Sequence, residues 1–267
     1  MGALDLPVRT RSAASKQGDP QGLIRDEGTS EVQWQAWSGL HAIRTIPLEK
    51  WIHPSARLVV VAPHPDDEIL ACGGLLRQHT ERGGKTLVIG VTDGEASHAG
   101  QPAWQASQLA VLRHEERLTG LSRLGCGDTE ICRLGLQDGK VAGQAGELEA
   151  ALQKELRWGD IVVSTWRLDG HPDHGACGLA AARACSAVHC RLLEAPVWMW
   201  QWGLPNDQRV PWHRLVGLPL TNSAMQAKQK SISAHVSQLE PRSASQAPVL
   251  GRTMLERFSR RVEYFFA

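Results

Sequence analysis

The sequence lacks the features that mark membrane-spanning, exported or nucleic-acid-binding proteins. No run of 18 apolar residues occurs, and the first thirty residues hold Arg9, Arg11, Lys16 and Asp19 without an apolar signal-peptide core. The formal net charge is only +1, which provides no field to attract a polyanion. We therefore expect a cytoplasmic protein with no membrane span and no nucleic-acid partner.

Cysteine, tyrosine and phenylalanine are also scarce. The six cysteines form no C-x-x-C pair, which in a chain of 267 residues without an export signal predicts reduced, mostly buried thiols. Tryptophan, by contrast, occurs ten times, against one Tyr and three Phe. Trp198, Trp200 and Trp202 recur at period two and predict three indoles on one face of a strand, either packed in the core or forming an apolar wall beside a ligand.

The length fits one large domain, and its beginning differs in composition from the rest. Residues 1–28 are rich in Arg, Ser, Gly, Pro and Gln without apolar periodicity, so we expect a flexible N-terminal arm followed by a single domain over 29–267. Ser30 and Gln33 resemble a capping box, which predicts a helix over 30–42.

From residue 57 onward, short apolar runs alternate with amphipathic segments of helix length. The runs Leu58 to Val61 and Ile161 to Val163 are continuously apolar, as in parallel strands that helices cover on both faces. This order predicts an α/β fold with a Rossmann-like, mostly parallel sheet and helices on both faces. The predicted strands are 58–62, 86–92, 130–134, 161–165, 191–200 and 213–220, and the predicted helices are 69–82, 105–124, 145–157, 175–188 and 222–238.

Two proline-stiffened loops carry most of the chemically active side chains. The loop at 63–68 reads P-H-P-D-D-E directly after the first strand, and the loop at 169–174 reads D-G-H-P-D-H directly after the strand 161–165. Either loop alone could be a turn or a helix cap. Ligands of open α/β sheets bind beyond the carboxyl ends of the strands, so two such loops together predict one site at the rim of the sheet.

The residue types in these loops suit a divalent transition metal. Imidazole and carboxylate groups bind zinc, and a catalytic zinc site uses three protein ligands and leaves a position for water. If two imidazoles and one carboxylate hold the metal, another carboxylate can accept a proton from water and another histidine can protonate a leaving group. The loops therefore predict metal-assisted hydrolysis with Zn²⁺, while Fe²⁺ also accepts two histidines and one carboxylate.

The two loops resemble the paired A-H-P-D-D-E and H-P-D-H signatures of the PIG-L, or LmbE-like, family of zinc-dependent N-acetylglucosaminyl deacetylases. The resemblance extends over about residues 57–240, through T-D-G-E at 92–95, L-Q-D-G at 136–139 and H-V-S-Q at 235–238. It implies a Rossmann-like fold and removal of an acetyl group from an N-acetylated amino sugar or its glycoconjugate. The partner would be this small-molecule substrate, and the products would be acetate and a free amine.

The resemblance also assigns roles to the residues of the two loops. It implies that His64, Asp67 and His174 bind the metal and that Asp66 is the general base. It implies that His171 is an imidazolium that stabilises the developing oxyanion or donates a proton to the departing amine.

Five further residues receive supporting roles. The resemblance implies that Arg113 and Asp138 lie near the sugar and that Asp173 orients a neighbouring imidazole. Glu68 is expected to cap the next helix or to support the metal ligands. Some family members place a Tyr two residues before the second motif, where this chain has Asp169, so oxyanion stabilisation is expected to rest on the metal and the first histidine of that motif.

Other functions remain open from the sequence. The same metal site could cleave an amide in a thiol conjugate or a secondary metabolite, because pocket walls decide the substrate. A catalytically silent carbohydrate-binding protein would keep the fold but release no acetate. The interpretation as a nucleotide-binding protein depends on fold analogy alone. The sequence predicts neither the sugar nor an oligomeric state.

Overall fold

The computed structural model describes residues 28–101, 104–243 and 246–267. The arm predicted at 1–28 lies outside these ranges except for its last residue, so that expectation stays a prediction. No helix within the described ranges combines the length and apolar character that crossing a membrane requires.

Seven strands form one sheet in the order β3-β2-β1-β4-β5-β7-β6. The strands β1 to β5 are parallel to one another, and β7 is antiparallel to both β5 and β6. The bounds are Leu58–Ala62 (β1), Thr86–Thr92 (β2), Glu130–Leu136 (β3), Ile161–Thr165 (β4), Arg191–Ala195 (β5), Leu215–Pro219 (β6) and Val262–Phe266 (β7).

The helices follow the strands in the alternation that the sequence predicts. They are Glu31–Ala36 (α1), Ser38–Ala42 (α2), Leu48–Trp51 (α3), Asp67–Glu81 (α4), Ala106–Leu124 (α5), Ala145–Glu155 (α6), Pro172–Val188 (α7), Met199–Trp202 (α8), Asn222–Ile232 (α9), Val236–Leu239 (α10) and Arg252–Phe258 (α11). The bounds of β1, β2 and β4 agree with the predicted strands.

Two apolar clusters lie on opposite faces of the sheet. Leu58 and Val60 of β1 join residues of α4, α5 and α9, whereas Val59 and Val61 join residues of α6 and α7. Successive side chains of a strand point to opposite faces, so β1 is buried on both sides. The predicted fold class, a mostly parallel sheet with helices on both faces, is therefore confirmed. All six cysteines are free thiols, and four of them are buried.

The strand order reverses between β1 and β4, the two strands that precede the histidine-rich loops. From β1 the chain proceeds outward to β2 and β3, and it then returns to place β4 on the other side of β1. Loops at the carboxyl ends of such neighbouring strands diverge and leave a crevice. The topology thus brings the two loops to the same crevice.

Three predicted elements differ from the structure. The capping box at Ser30 is present, but the helix predicted over 30–42 is two helices separated by an extended Trp37. The helix predicted over 222–238 is likewise divided into α9 and α10.

The strand predicted over 191–200 is wrong beyond Ala195. Pro196 lacks an amide N–H for the ladder, and the chain turns into the helix α8. Trp198, Trp200 and Trp202 therefore do not share a strand face. Trp200 packs in an aromatic cluster with Trp34, their centroids 5.2 Å apart, whereas Trp198 lines the cavity described below.

Candidate active site

The first loop passes from β1 into α4 through an unusual backbone conformation at Asp66. This residue has φ 146° and ψ −28°, a region that residues other than glycine rarely occupy. The backbone N–H of Asp66 donates to Glu68 Oε2 (3.3 Å), and α4 begins at the next residue. Strain of this kind persists where surrounding contacts hold it, and it is concentrated at functional sites.

The three predicted metal ligands meet at one oxygen atom, Oδ2 of Asp67, which lies close to both imidazoles. Asp67 Oδ2 lies 3.1 Å from His64 Nδ1 and 3.3 Å from His174 Nε2. Potential ligand atoms of His64, Asp67 and His174 all lie within 4.8 Å of one another, as one ion would require. A second group with this property contains His64, His171 and Asp173.

The first group fits a transition-metal ion by its chemistry and by one unsatisfied atom. Two imidazoles and a carboxylate are the donors that zinc and ferrous iron accept. His174 is fully buried, and its Nε2, although 3.3 Å from Asp67 Oδ2, makes no well-oriented hydrogen bond among the described residues. A buried nitrogen of this kind is costly unless something binds it, so these residues could hold a divalent cation.

The charges of the metal-free site are balanced between acids and imidazoles. Although burial opposes it, the carboxylates of Asp67 and Asp169 raise the pKa of His174 to about 9. Against the effect of burial, His174 and His64 hold the pKa of Asp67 well below its usual range. A cation must therefore displace protons from this site.

The predicted base lies beside this group in a different electrostatic setting. Burial raises the pKa of the Asp66 carboxyl to about 7, while the Arg113 guanidinium opposes the rise and the Asp67 carboxylate adds to it. Arg113 Nη2 donates to Asp66 Oδ2 (3.2 Å) and to Pro65 O (3.0 Å), and Nη1 donates to Gly94 O (3.0 Å). Arg113 lines the cavity, and its guanidinium also holds the carboxylate of Asp66.

His171 belongs to the second loop, where it is the N-cap residue of α7. Its ring centroid is 4.8 Å from that of His174 and 5.0 Å from that of His64. Burial, with these two imidazoles, lowers the pKa of His171 to about 3. A pKa this low favours a neutral ring at His171, whereas the resemblance implies an imidazolium there. The Nδ1 of this ring accepts the Asp173 N–H (3.2 Å), so the ring hydrogen is assigned to Nε2.

Asp138 and Asp173 both contact His64 on the side away from Asp67. Asp138 Oδ1 lies 3.1 Å and Asp173 Oδ2 lies 3.4 Å from His64 Nε2. Asp173 also accepts the backbone N–H of Gly139 (2.7 Å), which ties the loop after β3 to α7. Asp138 lines the cavity, and its carboxylate contacts His64. The carboxylate of Asp173 contacts this same imidazole, while its backbone N–H donates to His171.

Glu68 and Asp169 are buried carboxylates behind the two loops. Glu68 Oε1 accepts from Arg117 Nε (3.0 Å), and its other oxygen accepts the Asp66 N–H, so it supports the loop of the base. Asp169 Oδ2 lies 2.8 Å from His174 Nδ1. Such a carboxylate fixes the ring orientation and tautomer of a metal-binding histidine.

These residues open into a cavity of about 340 Å³. The lining includes residues of both loops together with residues from several other segments of the chain. The lining residues are His64, Asp66, Asp67, Leu70, Ala96, Ser97, Arg113, Asp138, Gly139, His171, His174, Val197, Trp198, Gln238, Arg242, Val249 and Leu250.

Several lining and supporting residues were not identified as site residues from the sequence. Gln238 lies in the H-V-S-Q run that resembles the family, so a signal existed for it. Ser97, Arg242 and Leu250 come from irregular loops, where no periodicity or spacing marks them. Arg117 lies in the middle of α5, and only the fold shows that it pairs with Glu68.

Comparison with known proteins gives one family match. Residues 59–185 match the model of the PIG-L family, described as GlcNAc-PI de-N-acetylase. Both histidine-rich loops lie within this range.

Curated relatives are similar over part of their length. A probable N-acetyl-alpha-D-glucosaminyl L-malate deacetylase 2 of Bacillus anthracis is 29% identical over 137 residues, which are 49% of this chain and 60% of the relative. A 1D-myo-inositol 2-acetamido-2-deoxy-alpha-D-glucopyranoside deacetylase of Mycolicibacterium gilvum is 37% identical over 145 residues, 44% of this chain and 50% of the relative. The chain thus matches between half and three fifths of these relatives.

A solved structure extends the similarity of the fold. A conserved protein of Thermus thermophilus superposes with a TM-score of 0.54 and 25% sequence identity, covering 79% of this chain and 93% of that protein.

Proposed function

Because residues 59–185 match the PIG-L family model, we propose that this chain belongs to the PIG-L/LmbE-like family and is a metal-dependent hydrolase that removes the acetyl group from an N-acetylated amino sugar or its glycoconjugate. One observation carries the proposal: His64, Asp67 and His174 converge beside a separate buried carboxyl group, Asp66, in one cavity. The proposed partner is a small amino-sugar molecule, and the proposed location is the cytoplasm.

The proposed cofactor is Zn²⁺, with Fe²⁺ as the alternative. His64, Asp67 and His174 would hold the ion, with Asp169 and Asp138 fixing the two imidazoles from behind. When bound, such an ion lowers the pKa of water from about 15.7 towards about 7.

Asp66 is the proposed base. Its pKa of about 7 places it close to neutral pH, where a carboxylate accepts a proton most usefully and can give it back. Asp66 accepts a proton from water as the C–O bond forms at the amide carbon. It then returns this proton to the amide nitrogen as the C–N bond breaks, which yields acetate and an amine.

His171 is the proposed hydrogen-bond donor to the substrate. The carbonyl oxygen gains negative charge as water attacks, and the Nε2–H of a neutral His171 can donate to it. Removal of one such donor costs about 10²–10³ in rate.

The test is release of acetate from a series of N-acetylated amino sugars and their glycosides by the metal-loaded protein. We expect turnover with at least one of them and a loss of about 10²–10⁴-fold in Asp66→Asn with its metal content unchanged. Asp128→Asn, which alters an exposed carboxylate, is the matched control and should keep full activity.

Two results would contradict the proposal. Full activity of Asp66→Asn would show that Asp66 is not the base. Absence of acetate release from every substrate by the metal-loaded wild type would overturn the deacetylase function.

A further inference from the structure

The cavity presents an aromatic face beside the predicted metal ligands. Trp198 lies in the segment between β5 and α8, and its ring is nearly parallel to that of His171, with 22° between the planes and 6.4 Å between centroids. Trp198 is only half-buried and lines the cavity together with both loops. An indole in such a place offers a large, rigid apolar surface to the C–H groups of a sugar ring.

A single carboxylate fixes the backbone of this segment. Asp169 Oδ1 accepts the N–H groups of Val197 and Met199, and Oδ2 accepts that of Trp198, each at 2.9 Å. The indole N–H of Trp202 donates to the backbone oxygen of Asp169 (2.7 Å). The turn that presents Trp198 is therefore built around Asp169.

The same carboxylate also receives the Nδ1–H of His174, at 2.8 Å from Oδ2. Asp169 is fully buried, so all four N–H donors depend on it without competition from water. With Nδ1 held by Asp169, Nε2 is the ring nitrogen of His174 that faces Asp67, and it is the atom free to bind a cation once its proton is displaced. The carboxylate of Asp169 thus fixes both the predicted ligand His174 and the segment that carries Trp198.

We propose that Trp198 is the surface on which the pyranose ring of the amino sugar stacks, and that Asp169 is a positioning residue that fixes this surface relative to His174. The proposal rests on the proposed function and specifies how its substrate is bound. It also gives a physical reason for an acid at position 169, since a tyrosine hydroxyl could not accept four N–H groups.

Asparagine at position 169 cannot reproduce this arrangement. Its one carbonyl oxygen can replace Oδ1 or Oδ2, and its NH₂ group then faces N–H donors at the other position. Either the turn at 197–199 loses its acceptors, or His174 must change tautomer and lose the Nε2 lone pair. Asp169→Asn should therefore affect substrate binding as well as metal binding.

The first experiment compares steady-state kinetics of Trp198→Ala, Trp198→Phe and Trp158→Ala on the best substrate of the acetate-release series. We expect Trp198→Ala to raise KM roughly tenfold with kcat and metal content little changed, and Trp198→Phe to restore most of the loss. Trp158 is 81% exposed on another part of the surface, so Trp158→Ala should behave as wild type. An unchanged KM in Trp198→Ala would overturn the stacking role.

The second experiment measures hydrogen–deuterium exchange of the amides at 197–199 in metal-free wild type and Asp169→Asn. We expect faster exchange in the variant, a higher KM after full reloading with Zn²⁺, and weaker retention of the ion against a chelator. Unchanged exchange together with a wild-type KM at full metal occupancy would show that Asp169 acts on His174 alone. Since the exchange measurement needs no substrate, it tests this role of Asp169 even if no acetate is released, which would instead contradict the proposed function.

Discussion

Asp66 combines a strained backbone with a buried carboxyl group. Its φ of 146° is held by contacts from Glu68 and Arg113, and burial raises its pKa to about 7. A carboxyl group in ordinary solvent has a pKa near 4 and would be a poor base at neutral pH. The loop thus gives Asp66 a pKa that suits the proposed role of base.

Removal of the Arg113 charge should shift the pH dependence of the reaction. As the proposed base, Asp66 acts when deprotonated, so we expect kcat/KM to fall as the pH decreases through its pKa. The Arg113 guanidinium lowers that pKa, so in Arg113→Gln we expect the acidic limb of the profile to move to higher pH by about one unit or more. Arg113→Lys keeps the charge and is the matched control. An acidic limb that does not move in Arg113→Gln would contradict this role.

The kinds of residue at the site could be predicted from the sequence, because spacing and chemistry marked both loops. Their mutual contacts could not. Asp138 and Arg113, which the resemblance places near the sugar, line the cavity, and the structure adds that one contacts His64 and the other Asp66. The neutral state of His171 depends on burial beside two other imidazoles, which no local pattern encodes.

Helix α4, which begins at the predicted ligand Asp67, is interrupted one turn later. Cys72 has φ −149° and ψ 26°, outside the helical region, so backbone N–H groups beyond it need other acceptors. Glu263 of β7 accepts the N–H of Gly74 (2.7 Å) and Leu75 (2.8 Å), and its Oε1 lies 2.6 Å from Lys228 Nζ. Glu263 of the last strand therefore supplies the hydrogen-bond acceptors that the interrupted helix lacks.

We expect Glu263→Ala to destabilise the protein by about 3–5 kcal/mol. The change leaves the buried ammonium group of Lys228 without its carboxylate partner, with only the Leu70 carbonyl oxygen as acceptor, and leaves two helical N–H groups without acceptors. Denaturant unfolding measures this change. Glu256→Ala removes a carboxylate from an exposed pair with Arg252 and should alter the free energy of unfolding by no more than about 0.5 kcal/mol. Equal stabilities of the two variants would contradict the role of Glu263.

Regular helices and strands were predictable where the apolar pattern was strong. The strands 58–62, 86–92 and 161–165 agree with the structure because continuous β-branched runs identify buried strands. The strand predicted over 191–200 failed because its second half is held by the carboxylate of Asp169, about thirty residues earlier in the chain. Long-range contacts of this kind override local periodicity.

Across the whole fold, the decisive feature is the reversal of strand order between β1 and β4. It brings His64 and Asp67 together with His174, more than a hundred residues later. The sequence indicated parallel strands and therefore a shared rim. It did not indicate that β7 would lie antiparallel between β5 and β6, because only long-range pairing decides the order of strands.

The most direct measurement is the metal content of the purified protein after loading with Zn²⁺ and removal of the excess. We expect one equivalent in the wild type and Asp66→Asn, and little in His174→Ala, because only the last of these removes a ligand atom. His213→Ala changes an exposed histidine and should retain one equivalent. A wild type that binds no zinc, or a His174→Ala variant that retains a full equivalent, would contradict a metal site formed by the two loops.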